Sequence, residues 1–202
     1  GASVINITDS GAITLSNLNL DGTGQGGVLS VTAASITQAE NSGILLQDSA
    51  QLNLTGDFIT LGANGTATVD INGAVLNGVF ASDFNVQGAI RGAAGVVDAQ
   101  LAGFYVNGSA ADNFVEIAVG ASITGDFREG SSIAMGDGND IANIAGDVAI
   151  SMEGGAGQDT FTLAPDISIA QILGGEGLDT LVGADVESEW IIGVSPDTDF
   201  NQ

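Results

Sequence analysis

Short bursts of alternating apolar and polar residues run along almost the whole chain. Ile5/Ile7, Leu18/Leu20, Leu52/Leu54, Val69/Ile71, Phe84/Val86, Ile117/Val119, Val148/Ile150/Met152, Phe161/Leu163 and Ile167/Ile169 each keep a period of two. That period puts the apolar side chains of a burst on one face of a strand. Clusters such as Asp21-Gly22-Thr23-Gly24, Gly62-Ala63-Asn64-Gly65 and Asn72-Gly73 separate the bursts, and these are turn-forming residues. Helical spacing is not kept over three turns anywhere. The pattern predicts an all-β chain.

A longer period lies over the short one. The segments 154–162 (GGAGQDTFT) and 174–182 (GGEGLDTLV) both fit G-G-x-G-x-D-x-U-x, with U a large apolar residue. A partial copy starts at Met135 and a fainter one at Asn107. One aspartate recurs at the same place: Asp112, Asp140, Asp159 and Asp179. Glycine-rich turns at a fixed period mark a coil repeat. Taking Asp140, Asp159 and Asp179 as equivalent gives a coil of about 19–20 residues, a length typical of stacked repeats. Such a coil holds three short strands and three turns, whereas a sandwich has no need of periodic turns.

The expected fold is therefore a right-handed parallel β-helix, or β-solenoid. At about 4.8 Å per coil, roughly ten coils would make a rod on the order of 50 Å long. It should span residues 1–186, with plain coils over 1–106 and repeat-bearing coils over 107–186. The longer step from Asn107 to Met135 implies an insertion around Asp126 to Ser131. From Glu187 the pattern breaks; residues 187–202, with Trp190 and Pro196, are expected to be a cap or a linker.

Charge narrows the function. The 202 residues include 25 acidic ones against two basic ones, Arg91 and Arg128, for a net charge of -23. Nucleic acids and anionic membranes need Lys or Arg to meet their phosphates, so neither is an expected partner. Divalent cations are. Thirty-one glycines and 44% hydrophobic residues argue against disorder. No apolar run reaches membrane-helix length, so direct membrane insertion is not expected. Nor does a secretory leader open the chain, so a mature or internal segment is expected.

The chain has no Cys and no His. That removes disulfides, thiolate or imidazole metal sites and the Ser-His-Asp arrangement. Two arginines, well separated in sequence, are a poor supply for stabilising an acidic sugar during elimination. An enzyme is not expected.

On these residues, the stretch from Gly136 to Gly183 resembles the calcium-binding nonapeptide repeats of RTX proteins, which are secreted and whose β-rolls calcium folds outside the cell. The first two-thirds, including residues 26–61, resembles the filamentous-haemagglutinin type of β-helix. Together they imply a segment of a large bacterial surface protein or adhesin, secreted or held at the cell surface. One departure stands out: the intervening segments 162–173 and 144–153 lack a glycine-rich turn, so only one edge of the rod is RTX-like.

Calcium takes six to eight oxygens, from carboxylates and backbone carbonyls. Carboxylates stacked at about 5 Å repel by roughly 3 kcal/mol at an effective dielectric of 20, and a divalent ion between them reverses the sign. The expected ligands are Asp137, Asn139, Asp140, Gly155, Gly157, Asp159, Gly175, Gly177 and Asp179, the glycines through their backbone. The alternative is that each Asp only accepts hydrogen bonds within its own tight turn. The leading expectation is an extracellular structural or adhesive segment stabilised by calcium, with a cell-surface glycan or protein receptor. A homopolymeric filament or surface-layer subunit associating end to end is one alternative. A carbohydrate-binding module of an exported polysaccharide-acting enzyme is another.

Overall fold

The computed structural model describes residues 3–22, 26–92 and 102–184. Among them, nineteen strands join in one sheet, every pairing is parallel, and the chain winds as a β-solenoid of about seven turns. Parallel pairing follows from winding, because each strand lies beside the one a full coil earlier. The short 3₁₀ turn Ala63–Gly65 is the one helical element among the described residues.

Coil length is not uniform. Val4 lies beside Val28, Val28 beside Gln51 and Gln51 beside Val75. Asn53 bonds Ser30, 23 positions earlier, and Asn77 bonds Asn53, 24 positions earlier, which gives the length of these early coils. Around the middle of the rod the step lengthens: Val75 pairs with Gly103 and Tyr105 with Ser132. Above that it shortens again. Ser132 pairs with Ser151 and Ser151 with Gln171, and bonds between equivalent corner positions there span 19 and 20 positions. The expected short coil thus holds only for the last two steps, and the expected ten coils become about seven. At 4.8 Å per coil the rod is roughly 34 Å long. Long strands such as Gln51–Leu61 and Val75–Val86 run through a corner, with a register slip between Gly56 and Phe58. The expected insertion region carries a bridge from Phe127 to Ala102, and Arg128 donates to the Gly73 carbonyl oxygen at 3.3 Å.

Each coil sends alternate residues inward, and stacking lines them up into columns. Leu29, Leu52, Leu76 and Phe104 form one; Ile36, Ile59, Phe84, Val115, Ala142 and Phe161 form a second; Ile44, Val69, Ile90, Ile123 and Val148 form a third. None of these is more than 4% exposed. The Phe80, Phe84, Phe104 and Phe127 rings follow one another at centroid spacings of 5.8, 6.4 and 6.3 Å. Outward positions form polar ladders: Asn77 Nδ2 donates to Asn53 Oδ1 at 2.8 Å, and Asn53 Nδ2 to Ser30 Oγ at 3.1 Å.

Three of the expected inward residues face out. Val119 is 87% exposed, because it falls in the turn after Phe114–Ile117 and not on the strand. Ile5 and Ile7 are exposed because Val4–Thr8 pairs with a strand on one side alone among the described residues. Residues 187–202, expected to be a cap or a linker, lie outside the described residues.

Candidate metal centre

Every coil passes from its first strand column to its second at one corner, and the nonapeptides occupy that corner in the last three coils. Gly136, Gly155 and Gly175 stack on one another there, as do Asp137, Ala156 and Glu176, and Gly157 and Gly177. Gly155 and Gly157 have φ of 120° and 143°, and Gly175 and Gly177 have 109° and 131°. A Cβ on Gly155 would run into the Gly136 carbonyl oxygen, and one on Gly157 into that of Gly138. Glycine is required twice over at these positions, by backbone conformation and by the approach of the coil beneath.

Asp140, Asp159 and Asp179 form a ladder up this corner. The Asn113 N–H donates to Asp140 Oδ1 at 2.7 Å, the Asp140 N–H to Asp159 Oδ1 at 2.9 Å, and the Asp159 N–H to Asp179 Oδ1 at 3.1 Å. Each carboxylate therefore reaches back one coil; its bond is to the neighbouring coil's backbone. A second ladder runs the other way. The Asn139 N–H donates to Asp112 Oδ1 at 2.8 Å, and the Gln158 N–H to Asn139 Oδ1 at 3.0 Å. Adjacent residues of an extended segment point oppositely, so Asp140 and Asp159 are buried while Asp112, Asn139 and Gln158 are exposed.

The register corrects the faintest repeat. Phe114 pairs with Ile141, Ile141 with Thr160 and Thr160 with Thr180. Asn113, not Asp112, thus occupies the position of Asp140, and Asp112 belongs to the outer ladder. Both Asp112-x-Phe114 and Asn113-x-Val115 fit the pattern of a polar residue two before an apolar one. The fold selects the second because Val115 is the inward residue, at 0% exposure. Aligning the pairs Asp112-Asn113, Asn139-Asp140 and Gln158-Asp159 would have shown it. Of the other expected ligands, Asp137 is exposed, and the Asn139 side-chain oxygen already accepts the Gln158 N–H.

The inner ladder leaves charge stranded. Asp140 is 0% and Asp159 1% exposed, and the Oδ2 atom of each is buried without a hydrogen-bond partner. Burial raises the Asp159 carboxyl to about 6, reinforced by the charges of Asp140 and Asp179 and opposed by the Asp140 N–H. Burial likewise raises Asp140, with the Asp112 and Asp137 charges adding to it and the bonds from Asn113 opposing. An unfolded Asp holds its proton only below about 3.9. Between that value and about 6 the folded chain binds more protons than the unfolded one, so stability rises as pH falls across that window. Calorimetry in chelator is expected to give a higher melting midpoint at pH 5 than at pH 7. A midpoint no higher at pH 5 than at pH 7 would mean these carboxylates are solvated.

Among the described residues no three His, Cys, Asp or Glu side chains converge. A cation at this corner would therefore draw on turn carbonyls as well as the ladder aspartates. Buried unpartnered carboxylate oxygens with backbone carbonyls are a hard-oxygen donor set, which fits calcium or magnesium and not zinc. At the same corner of the earlier coils lies a shallow groove of about 350 Å³ between Asp9 and Ser109. Its one aromatic, Phe80, is 1% exposed, so no ring face is offered there to a sugar. No protein-family model, curated protein or solved structure matches the chain. The likeness to RTX repeats rests on the nonapeptides and their placement.

Proposed function

We propose that this chain is a stiff segment of an extracellular bacterial protein, a structural or adhesive rod whose last coils are locked by calcium. The observation that carries the reading is the pair of buried, unpartnered Oδ2 atoms on Asp140 and Asp159, stacked on successive coils. An acceptor-only carboxylate in that position lacks a positive partner, and a divalent ion between coils supplies one. The solenoid itself, with its unbroken apolar core from Leu15 to Phe161, supports a spacer role in which length and rigidity are the useful properties. Low-affinity calcium sites of about 0.1–1 mM would fill outside the cell and stay empty in the cytosol, so export would set when these coils order.

Thermal melts followed by circular dichroism, in chelator and then in several millimolar calcium, test this. At several millimolar calcium and a dissociation constant of about 0.1–1 mM, each bound ion adds about 1–2 kcal/mol. For a chain of this size that is an upward shift of roughly 2–8 °C per ion. Identical midpoints in the two solutions would remove calcium from the account and leave an acidic solenoid with strained aspartates. Equal shifts with magnesium would remove the selectivity.

A further inference from the structure

The three ladder aspartates have a fourth counterpart that is not an acid. Asn113 lies beneath Asp140 in the inner ladder and is 3% exposed. Its amide turns into its own corner. Nδ2 donates to the carbonyl oxygens of Ala111 and Ser109 and to Ser109 Oγ, while Oδ1 accepts the Ser109 N–H. Ser109 and Ala111 lie directly beneath Gly136 and Gly138. The Asn113 amide thus brings two positive hydrogens to the carbonyls of its turn. One coil up, Asp140 has none to give, and its Oδ2 is left without a partner.

Resting on the calcium reading above, we infer that Asn113 is a built-in substitute for the cation. It closes the corner of its coil without metal and sets the boundary between two parts of the rod. Coils up to Phe114–Ile117 form a cation-independent platform. The coils carrying Asp140, Asp159 and Asp179 stack on that platform and depend on the ion. The platform has what it needs to stand alone: three of the largest buried side chains, Phe80, Phe84 and Phe104, precede the boundary. It also presents the Asn113 N–H as the first rung for the Asp140 carboxylate.

Hydrogen exchange read by mass spectrometry on the full chain, in chelator and in calcium, tests the boundary. Residues 103–117 are expected to be equally protected in both. Residues 141–163 should gain roughly a hundredfold in protection when calcium is present at 100 times its dissociation constant. Asn113→Asp should move the boundary down one coil, so that 103–117 loses protection in chelator and recovers it in calcium. Asn113→Ala should lose protection in both. Calcium dependence of 103–117 in the unmodified chain overturns the inference whatever the variants do. So does an Asn113→Asp protein that calcium restores no better than Asn113→Ala. If calcium leaves every segment of the unmodified chain unchanged, the calcium reading itself falls, and this inference with it.

Discussion

Gly155→Ala is expected to unstack the last coils, at a cost of about 4 kcal/mol or more, a loss large enough to need a specific structural cause. Two effects add. The backbone at Gly155 has φ of 120°, where an L-residue is strained by roughly 1–3 kcal/mol. The new methyl would also occupy the place of the Gly136 carbonyl oxygen in the coil below. Parallel coils at about 4.8 Å leave no slack for it, so the coils must part, and the bond from the Asp140 N–H to Asp159 Oδ1 goes with them. Gly120→Ala is the comparison, since Gly120 has φ of 79° but open space around it. There only the left-handed strain applies, about 1–2 kcal/mol. Urea unfolding of both variants separates the effects, and saturating calcium should not rescue Gly155→Ala because the obstruction is steric. If the two variants lose the same amount, the corner is not tightly stacked and the glycine requirement is conformational alone.

The strands were legible because burial in a solenoid follows a period of two. Leu52 and Leu54, or Val69 and Ile71, announce their direction without help from distant residues. Val119 shows the limit: an apolar residue in a turn continues the alternation of Ile117 and yet faces solvent. Coil length was legible only where the corner demands particular residues. Glycines at 155, 157, 175 and 177 recur because backbone strain and stacking forbid anything else. In the earlier coils the same corner makes fewer demands. At Ala33-Ala34 the Ala34 carbonyl simply accepts the N–H groups of Asp57 and Phe58 from the next coil, and alanine announces nothing. The longer early coils therefore left no repeat to read.

The candidate centre was half legible for a related reason. Spacing alone put Asp140, Asp159 and Asp179 in one line, because a coil returns to the same corner. It could not say that each carboxylate bonds the coil before it, since that depends on side-chain direction between coils and not on order along the chain. The identity of the fourth rung was ambiguous for the same reason. Asp112 and Asn113 differ by one position, and one position moves a side chain from the solvent ladder to the buried one.

Asp159→Asn separates the two burdens on that side chain, and its stabilising effect in chelator is expected to be erased by the cation. Holding a carboxyl with a folded value of about 6 ionised at neutral pH costs the native state roughly 3 kcal/mol relative to the unfolded chain. In chelator the amide removes that cost. It keeps an oxygen for the Asp140 N–H, and it gains an NH₂ that can serve the turn carbonyls as Asn113 does in its own coil. The variant should then be the more stable protein, by up to roughly 3 kcal/mol. In calcium at 100 times the dissociation constant that advantage should be offset, because the unmodified chain gains about 2.7 kcal/mol from the ion at this turn and the variant does not. Asp159→Ala should be weaker than Asp159→Asn in both solutions, since the buried Asp140 N–H loses its acceptor at a cost of about 1–3 kcal/mol. Chemical denaturation of the three proteins at pH 7.5, with and without calcium, gives six midpoints. A gap between the first two proteins that opens in chelator and closes in calcium places the ion at Asp159. Parallel shifts of the same two would place calcium elsewhere on the acidic surface and leave Asp159 as a strained inter-coil acceptor.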